Sequence, residues 1–201
     1  MDSIEDILRF HRPLSEQAFK EEVNRLRERT RDPNFLFASN PADPPDPWQG
    51  DVLPSAELPF LNAEGQVELR LGPAMVLSTT CDTVPGQDPS AVLAPVYYVA
   101  DFLLGLEEAS AASRVDALRS NRYARYLHLP AAGSIREGYV NFSESAAVST
   151  TYLSRLCDDA APGQRLRFSR LGWYFFNYKL GYYYARVEDE REISRGGSSL
   201  F

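Results

Sequence analysis

Hydrophobic residues recur at helical spacing near the start of the chain and then give way to prolines. In residues 15–31, Phe19, Val23 and Leu26 form a thin apolar stripe, and Ser15 is a candidate N-cap. The next segment, 32–48, ends in Asn-Pro-Ala-Asp-Pro-Pro-Asp-Pro-Trp, so we expect little regular structure there. The first 48 residues therefore predict a helix followed by a proline-rich connection.

From Gly50 onward the pattern changes to short apolar runs separated by turns, which is typical of β-strands. The predicted strands cover residues 51–53, 67–71, 74–78, 91–99, 125–129 and 139–142. A helical insertion is predicted at 101–121 and a short helix at 150–157. Strands combined with separate helices in this way predict an α+β fold, with one domain over residues 49–187.

The last strong element is an aromatic helix at residues 169–187. Trp173, Phe176 and Leu180 lie on one face of this helix, and Tyr178 and Tyr182 lie on another. A helix that is apolar on two faces either packs in the core or presents an interface to a protein partner or a second copy of the chain. Both alternatives stay open at this point. The charged segment that follows, 188–201, is predicted to be a flexible tail.

Composition excludes several classes of protein. The 201 residues are 44% hydrophobic and 24% charged, which is ordinary for a globular protein. The start of the chain carries no secretory signal, no run of about 18 apolar residues exists to cross a membrane, and only two cysteines occur, so we expect a cytoplasmic protein. The two histidines are isolated and glycine-rich phosphate-binding motifs are absent, so we expect no metal and no cofactor.

Charge is unevenly distributed along the chain. The formal net charge is −7, yet residues 111–186 carry 11 basic and 5 acidic side chains. An acidic protein does not bind nucleic acid through its bulk charge, because that affinity depends on neutralising phosphates. One basic face could still contact nucleic acid locally, or the division could serve solubility and internal salt bridges.

The most distinctive string is a buried strand that runs into three hydroxyls, a thiol and a carboxylate. These are the side chains of Ser78, Thr79, Thr80, Cys81 and Asp82. Strand ends present functional groups on a rigid scaffold, so this segment is a candidate site, with the hydroxyls binding a ligand. The structural alternative is that the hydroxyls cap the strand end, the thiol is buried, and the carboxylate makes a local turn.

A second candidate is a basic set interleaved with tyrosines. The set is interleaved with Tyr123 and Tyr126 and consists of Arg114, Arg119, Arg122, Arg125 and His128. This pattern suits stacking and phosphate contact on single-stranded nucleic acid, with Arg122 and Arg125 as the candidate binding residues. An exposed insertion with salt bridges to the acidic N-terminal half of the chain would show the same pattern. Tyr98, near the end of the predicted strand 91–99, is a further candidate ligand-binding residue.

Four segments, taken in order, resemble a known family. They are Gly-Asp-Val at 50–52, Gly-Pro-Ala-Met-Val-Leu-Ser at 72–78, Val-Leu-Ala-Pro-Val at 92–96 and Gly-Tyr-Val-Asn-Phe at 138–142. This order is similar to the PemK/MazF-type proteins of bacterial toxin–antitoxin systems, over roughly residues 49–157. The resemblance implies a small SH3-like β-barrel, here with an N-terminal helix, a helical insertion at 101–121 and a C-terminal aromatic helix.

The resemblance also implies cleavage of single-stranded RNA by an Arg that precedes the proline of the second strand. Gly72 stands at that position in this chain, and Arg70 lies two residues earlier. We therefore predict a non-catalytic barrel that acts as a binding module in a toxin–antitoxin or phage-defence setting. The alternative is a metal-independent endonuclease of single-stranded RNA or DNA whose catalytic residues are Asp51, Arg70, Cys81 and Asp82.

Overall fold

The computed structural model of the chain describes residues 16–38, 46–80, 82–83, 89–104, 108–161 and 163–185. The helices in these ranges are α1 (Glu16–Arg29), α2 (Pro33–Leu36), α3 (Val99–Phe102), α4 (Glu108–Arg119), α5 (Thr150–Asp159) and α6 (Arg170–Ala185), with a 3-10 helix at Phe142–Glu144. The strands are β1 (Val52–Leu61), β2 (Val67–Val76), β3 (Ser90–Tyr98), β4 (Tyr126–Leu129), β5 (Gly138–Asn141) and β6 (Ala146–Ser149). The predicted α+β class is confirmed.

The strands form one six-stranded antiparallel sheet. Its order is β1-β2-β3-β5-β4, and β6 pairs with the first half of β3 while β5 pairs with the second half. Val96 of β3 lies opposite Val140, and Leu93 lies opposite Ala146. Among the described residues β1 and β4 end this order without pairing with each other, so the sheet is open.

The second strand differs from the prediction of two strands at 67–71 and 74–78. In the sequence, Gly72 and Pro73 predict a break between two strands, but β2 runs through both residues without interruption. The reason lies in β1, where a register shift between Leu53 and Ala56 places two residues opposite Pro73. A bulge of this kind interrupts the ladder at the position where proline has no N–H to donate. The same pairing extends β1 to Leu61, well beyond the predicted 51–53.

The predicted proline-rich connection is wrong for part of its length, because it contains α2. Asp32 is the N-cap of this helix and accepts from the main-chain N–H of Asn34 at 2.9 Å, while Pro33 occupies the first turn. Phe35 and Leu36 are buried. This short helix therefore packs the segment against the core through Phe35 and Leu36. The preceding helix, predicted at 15–31, is confirmed as α1, although Ser15 lies outside the described residues.

The core lies between the sheet and the C-terminal helix α6. The aromatic helix predicted at 169–187 is confirmed as α6. Phe175 and Phe176 are buried against strand residues such as Met75 and Val96. Tyr178 and Tyr182 remain about half exposed, so only one face of α6 is covered. Within the described ranges, no helix is long and apolar enough to cross a membrane. The predicted tail at 188–201 lies outside these ranges.

Candidate functional site

A groove on one face of the sheet is the first candidate site. It has a cavity volume of about 360 Å³ and lies between β1, β2, β3 and the 3-10 helix. We call it the sheet groove. Its lining residues are Ala56, Leu58, Pro59, Phe60, Arg70, Leu71, Gly72, Pro73, Pro95, Val96, Tyr97, Tyr98, Asp101 and Glu144.

Strand alternation brings Arg70 into this groove. Side chains two residues apart on a strand share a face, so Arg70 and Gly72 of β2 face the same side as their β1 partners, Leu58 and Ala56. The Arg70 guanidinium carbon lies 3.3 Å from the centroid of the Phe60 ring. A cation over an aromatic face is attracted by the ring quadrupole, which holds Arg70 against the groove wall.

A chain of hydrogen bonds crosses the groove from Arg70 to the 3-10 helix. Arg70 Nη1 donates to Tyr97 Oη at 3.4 Å, and the Tyr97 hydroxyl donates to Glu144 Oε2. Asn141 Nδ2 donates to Glu144 Oε1 at 2.7 Å. Burial, together with the neighbouring Glu144, raises the pKa of Tyr97 to about 12. Tyr97 therefore keeps its proton and acts as a hydrogen-bond donor rather than as a base.

The groove carries more negative than positive charge. Asp101 lines it and accepts from the main-chain N–H of Tyr98 at 3.3 Å, while Glu144 supplies the second carboxylate. Arg70 is the single cation among the described lining residues. A surface with two carboxylates, one guanidinium and several rings and prolines suits a ligand that is apolar and positively charged.

The predicted site at the end of β2 is held by local hydrogen bonds. Ser78 Oγ accepts from Val92 N at 2.8 Å, and Thr79 Oγ1 donates to Asp82 Oδ2 at 2.7 Å. Thr80 Oγ1 accepts from Gln49 N at 3.4 Å. Cys81 lies outside the described residues. These contacts stabilise the strand end, and the predicted ligand-binding and catalytic roles of this segment stay predictions.

Asp51, another candidate catalytic residue, is fully buried in an ion pair. Arg167 donates to both carboxylate oxygens, from Nε at 2.8 Å and from Nη2 at 2.7 Å. Trp48 N donates to Oδ2 at 2.9 Å, and Arg165 Nε lies 3.8 Å from the same oxygen. Bidentate arginine pairs of this kind are strong and geometrically specific. With its oxygens accepting these bonds, Asp51 stabilises the fold around the start of β1.

The structure places the predicted catalytic residues in different surroundings. Arg70 lies in the sheet groove, Asp51 is buried beside Arg167, and Asp82 bonds to Thr79. Sequence reasoning missed Glu144, the groove residue that accepts from Tyr97. A weak signal for it was available, because Glu144 lies two residues after the predicted strand 139–142, and strand ends are common positions for functional groups.

The basic set near α4 is largely engaged in contacts of its own. Arg119 donates to both oxygens of Glu137, at 2.7 and 2.8 Å, and His128 Nε2 lies 3.0 Å from the same carboxylate. The pKa of His128 is lowered, mainly because its side chain is buried. Arg122 lies 3.7 Å from Asp116, a salt bridge local to the insertion that does not reach the acidic N-terminal half.

The tyrosines of this set pack into an aromatic cluster. Tyr123 and Tyr126 each lie 6.0 Å from Phe102, centroid to centroid, and Tyr126 lies 5.0 Å from Tyr139. The Arg125 guanidinium stacks on Tyr126 at 4.8 Å. This arrangement joins the helical insertion to the sheet. Nucleic-acid binding by Arg122 and Arg125 stays a prediction.

A second cavity of about 360 Å³ lies where the start of β1 meets the start of α6. We call it the tryptophan pocket. Its lining residues are Trp48, Gln49, Thr80, Arg167, Phe168, Ser169, Arg170 and Trp173. Thr80, one of the predicted ligand-binding residues, therefore opens onto a cavity.

Among the described residues, no group of three or more His, Cys, Asp or Glu side chains is arranged to hold a metal ion. A scan against protein-family models and a search of the curated proteins each found no match to this chain.

Proposed function

We propose that this chain is a PemK/MazF-like interaction module whose sheet groove binds an extended peptide segment of a partner protein, with a basic side chain at the carboxylates. The observation that carries the proposal is the lining of the groove, where rings and prolines surround an excess of negative charge. The proposal develops the non-catalytic alternative of the sequence analysis.

The apolar walls of the groove favour a peptide over a compact polar ligand. Pro59, Phe60, Pro73, Pro95 and Tyr98 present rigid surfaces with little rotamer entropy to lose on binding. Grooves lined by aromatic residues accept extended, proline-containing segments, because such segments are already close to their bound conformation. Tyrosine adds a polar tip that can bond to the peptide backbone.

The charges of the groove favour lysine or arginine over phosphate. Glu144 and Asp101 outnumber Arg70 among the lining residues, which gives the lining a net charge of about −1, and the whole chain has a net charge of −7. A second cation, Arg136, stacks on the ring of the lining residue Tyr98 at 3.8 Å. A polyanion would meet repulsion here, whereas a basic side chain would be steered in and held.

An exposed apolar stripe on the β1–β2 hairpin supports a role in protein binding. The stripe consists of Leu61, Val67, Leu69 and Leu71, each between 64% and 72% exposed. Contiguous exposed hydrophobic side chains on a soluble domain commonly mark an interaction surface. The aromatic face of α6 with Tyr178 and Tyr182 is a further candidate surface for a protein partner or a second copy of the chain.

The barrel and the biological setting belong to the proposal as well. The first half of β3 pairs with β6 and its second half with β5, and Val52 bridges to Leu166, which brings the segment before α6 to the free edge of β1. These features support an SH3-like barrel. The toxin–antitoxin or phage-defence setting rests on the resemblance of the strands, and the cytoplasmic location on the low cysteine count.

A second candidate function is cleavage of single-stranded RNA in the same groove. Arg70 lines the cavity together with Gly72, the position where the PemK/MazF-type proteins carry their arginine. Glu144 is the carboxylate that would activate a 2′-hydroxyl, and Arg70 the cation that would stabilise the charged phosphorane. In this alternative the relocated site is the groove rather than residues 78–82.

The test is selection from a random-peptide phage library, followed by fluorescence anisotropy with the selected peptides. We expect peptides in which a Lys or Arg adjoins prolines or large apolar residues. Glu144→Gln should weaken their binding about tenfold, because it removes a charge-assisted contact. Glu28→Gln, the same change on exposed α1, is the control. Peptides without a basic residue, or equal binding by Glu144→Gln, would contradict the proposal.

The same proteins incubated with mixed-sequence single-stranded RNA test the second candidate. Cleavage that is lost in both Arg70→Ala and Glu144→Gln would establish the endonuclease function. Cleavage that survives both changes and disappears in Asp82→Ala would instead support the site at residues 78–82. With no cleavage by the unaltered protein, only the binding function stands.

A further inference from the structure

The tryptophan pocket has aromatic walls that are open to solvent. Trp48 is 48% exposed and Trp173 is 38% exposed, and both line the same cavity. Its volume of about 360 Å³ falls in the range of roughly 300–1,000 Å³ that is typical of small-molecule sites. The Arg167 guanidinium lies 4.5 Å from the centroid of the Trp48 ring and covers one of its faces, so a ligand ring would pack on the remaining indole surface. Indoles are favourable stacking partners of heteroaromatic rings, because every such ring offers a π-face.

The charge of this pocket is opposite to that of the sheet groove. Arg167 and Arg170 both line it, and none of the described lining residues is a carboxylate. Behind the wall, Asp51 pairs with Arg167 and faces Arg165 as well, so two guanidinium groups share one buried carboxylate. That cluster has a net charge of about +1, and Arg170 adds a second positive charge. A pocket of this kind attracts an anion.

Two polar groups at the pocket have hydrogen-bonding capacity to spare. The Gln49 side chain donates through Nε2 to Leu77 O at 2.9 Å, which leaves its Oε1 as an acceptor. The Thr80 hydroxyl accepts from Gln49 N, which leaves its proton to donate. Ser169 is excluded from this role, because it donates to Phe35 O and accepts from Gly172 N. An acceptor and a donor that line the same cavity can bond to the edge of a base.

We propose that the tryptophan pocket is a nucleotide-binding site. The heteroaromatic base packs against the indoles of Trp48 and Trp173, its edge bonds to Gln49 and Thr80, and its phosphate is held by Arg170 beside Arg167. Aromatic walls alone would accept any flat apolar ring, and the two arginines restrict the ligand to one that also carries a negative charge. The site shares no lining residue with the sheet groove, so it is independent of the function proposed above.

The two tryptophans make the test direct. Trp48 and Trp173 are the two tryptophans of the sequence, so the intrinsic tryptophan fluorescence of the full chain reports on this pocket. The probes are AMP, adenosine, inorganic phosphate and a single-stranded tetramer of adenylate, with calorimetry as a second readout. We expect saturable quenching by AMP, binding of adenosine weaker by about tenfold or more, and no quenching by phosphate alone.

Variants separate a nucleotide site from non-specific quenching. Arg170→Gln should weaken AMP binding about tenfold and leave adenosine binding unchanged, because it removes only the contact to phosphate. Arg136→Gln, which removes an exposed arginine stacked on Tyr98, should change neither. Far-ultraviolet circular dichroism checks that both variants are folded.

The outcomes are distinct. A tetramer that binds more tightly than AMP would assign the site to a nucleotide within a strand, and equal or weaker binding would assign it to a free nucleotide. Absence of saturable quenching by both AMP and the tetramer would overturn the proposal. So would AMP binding that is the same in Arg170→Gln as in the unaltered protein.

Discussion

Replacing Asp51 by asparagine removes the negative charge that neutralises two buried guanidinium groups. Asp51 is 0% exposed, while the side chains of Arg165 and Arg167 are 6% and 12% exposed, so water cannot take over the lost interaction. The amide nitrogen of Asn would also face donors from Trp48 or Arg167, because three N–H groups point at the two carboxylate oxygens. The substitution keeps the size of the side chain, so its effect is electrostatic.

The expected loss follows from the burial of the pair. Removing one partner of a buried ion pair costs about 3–5 kcal/mol, because an uncompensated charge is left behind. The free energy of unfolding of a typical domain is about 5–15 kcal/mol, so this is a large fraction of it. With a urea dependence of about 1–3 kcal/mol per molar, the unfolding midpoint should fall by at least about 1 M.

The assay is urea unfolding followed by tryptophan fluorescence and circular dichroism. Asp116→Asn is the matched control, because Asp116 also pairs with an arginine, Arg31 at 2.9 Å, but its side chain is 50% exposed. An exposed pair is worth less than about 1 kcal/mol, so this control should unfold almost as the unaltered protein does. A loss below about 1 kcal/mol for Asp51→Asn would refute the assigned structural role of Asp51.

Three further predictions concern other parts of the fold. Burial lowers the pKa of Lys179 to about 7, so above that pH the unfolded chain binds more protons than the folded chain. The free energy of unfolding should therefore rise with pH above 7, by up to about 1.4 kcal/mol per pH unit. Urea titrations at several pH values should show a flatter profile for Lys179→Met. A Cβ at Gly172 would overlap the main-chain oxygen of Leu36, so Gly172→Ala should lower the thermal midpoint. Gly181 lies on the open side of α6, so Gly181→Ala should raise the free energy of unfolding by up to about 1 kcal/mol. An increase in stability for both variants would contradict the packing of α6. Cys157 is buried, and burial raises the pKa of its thiol. In a Cys81→Ser variant, a thiol reagent should therefore label Cys157 much more slowly in the native protein than in the denatured protein. Rapid labelling of the native protein would show that α5 is not packed as described.

The two cavities have different electrostatic character, and this difference decides which ligand each can take. The sheet groove places Glu144 and Asp101 against one arginine, whereas the tryptophan pocket places two arginines in a wall without a carboxylate among its described residues. A net charge of −7 for the whole chain gives no hint of this division. Ligand charge is therefore the first variable to test at either site.

Part of the candidate site could be predicted from the sequence and part could not. Arg70 was a candidate because a known family carries an arginine close to that position, and strand alternation places it in the same groove as Gly72. Glu144 was missed, since its partner Tyr97 is 47 residues away in the chain and no local pattern links them. The sequence predicts Asp51 as a catalytic residue and gives no sign of its ion pair, because the partner, Arg167, is 116 residues distant.

The sequence by itself determined most of the helices and strands. The spacing of apolar residues identified α1, α6, β3 and β5, because periodicities of 3.6 and 2 residues follow from the geometry of a single element. Tertiary structure decided whether β2 was one strand or two, through a bulge in β1 at Leu53 and Ala56. It also decided which charges meet, because the energy of an ion pair depends on distance and burial in space, and neither quantity is written in the order of residues along the chain.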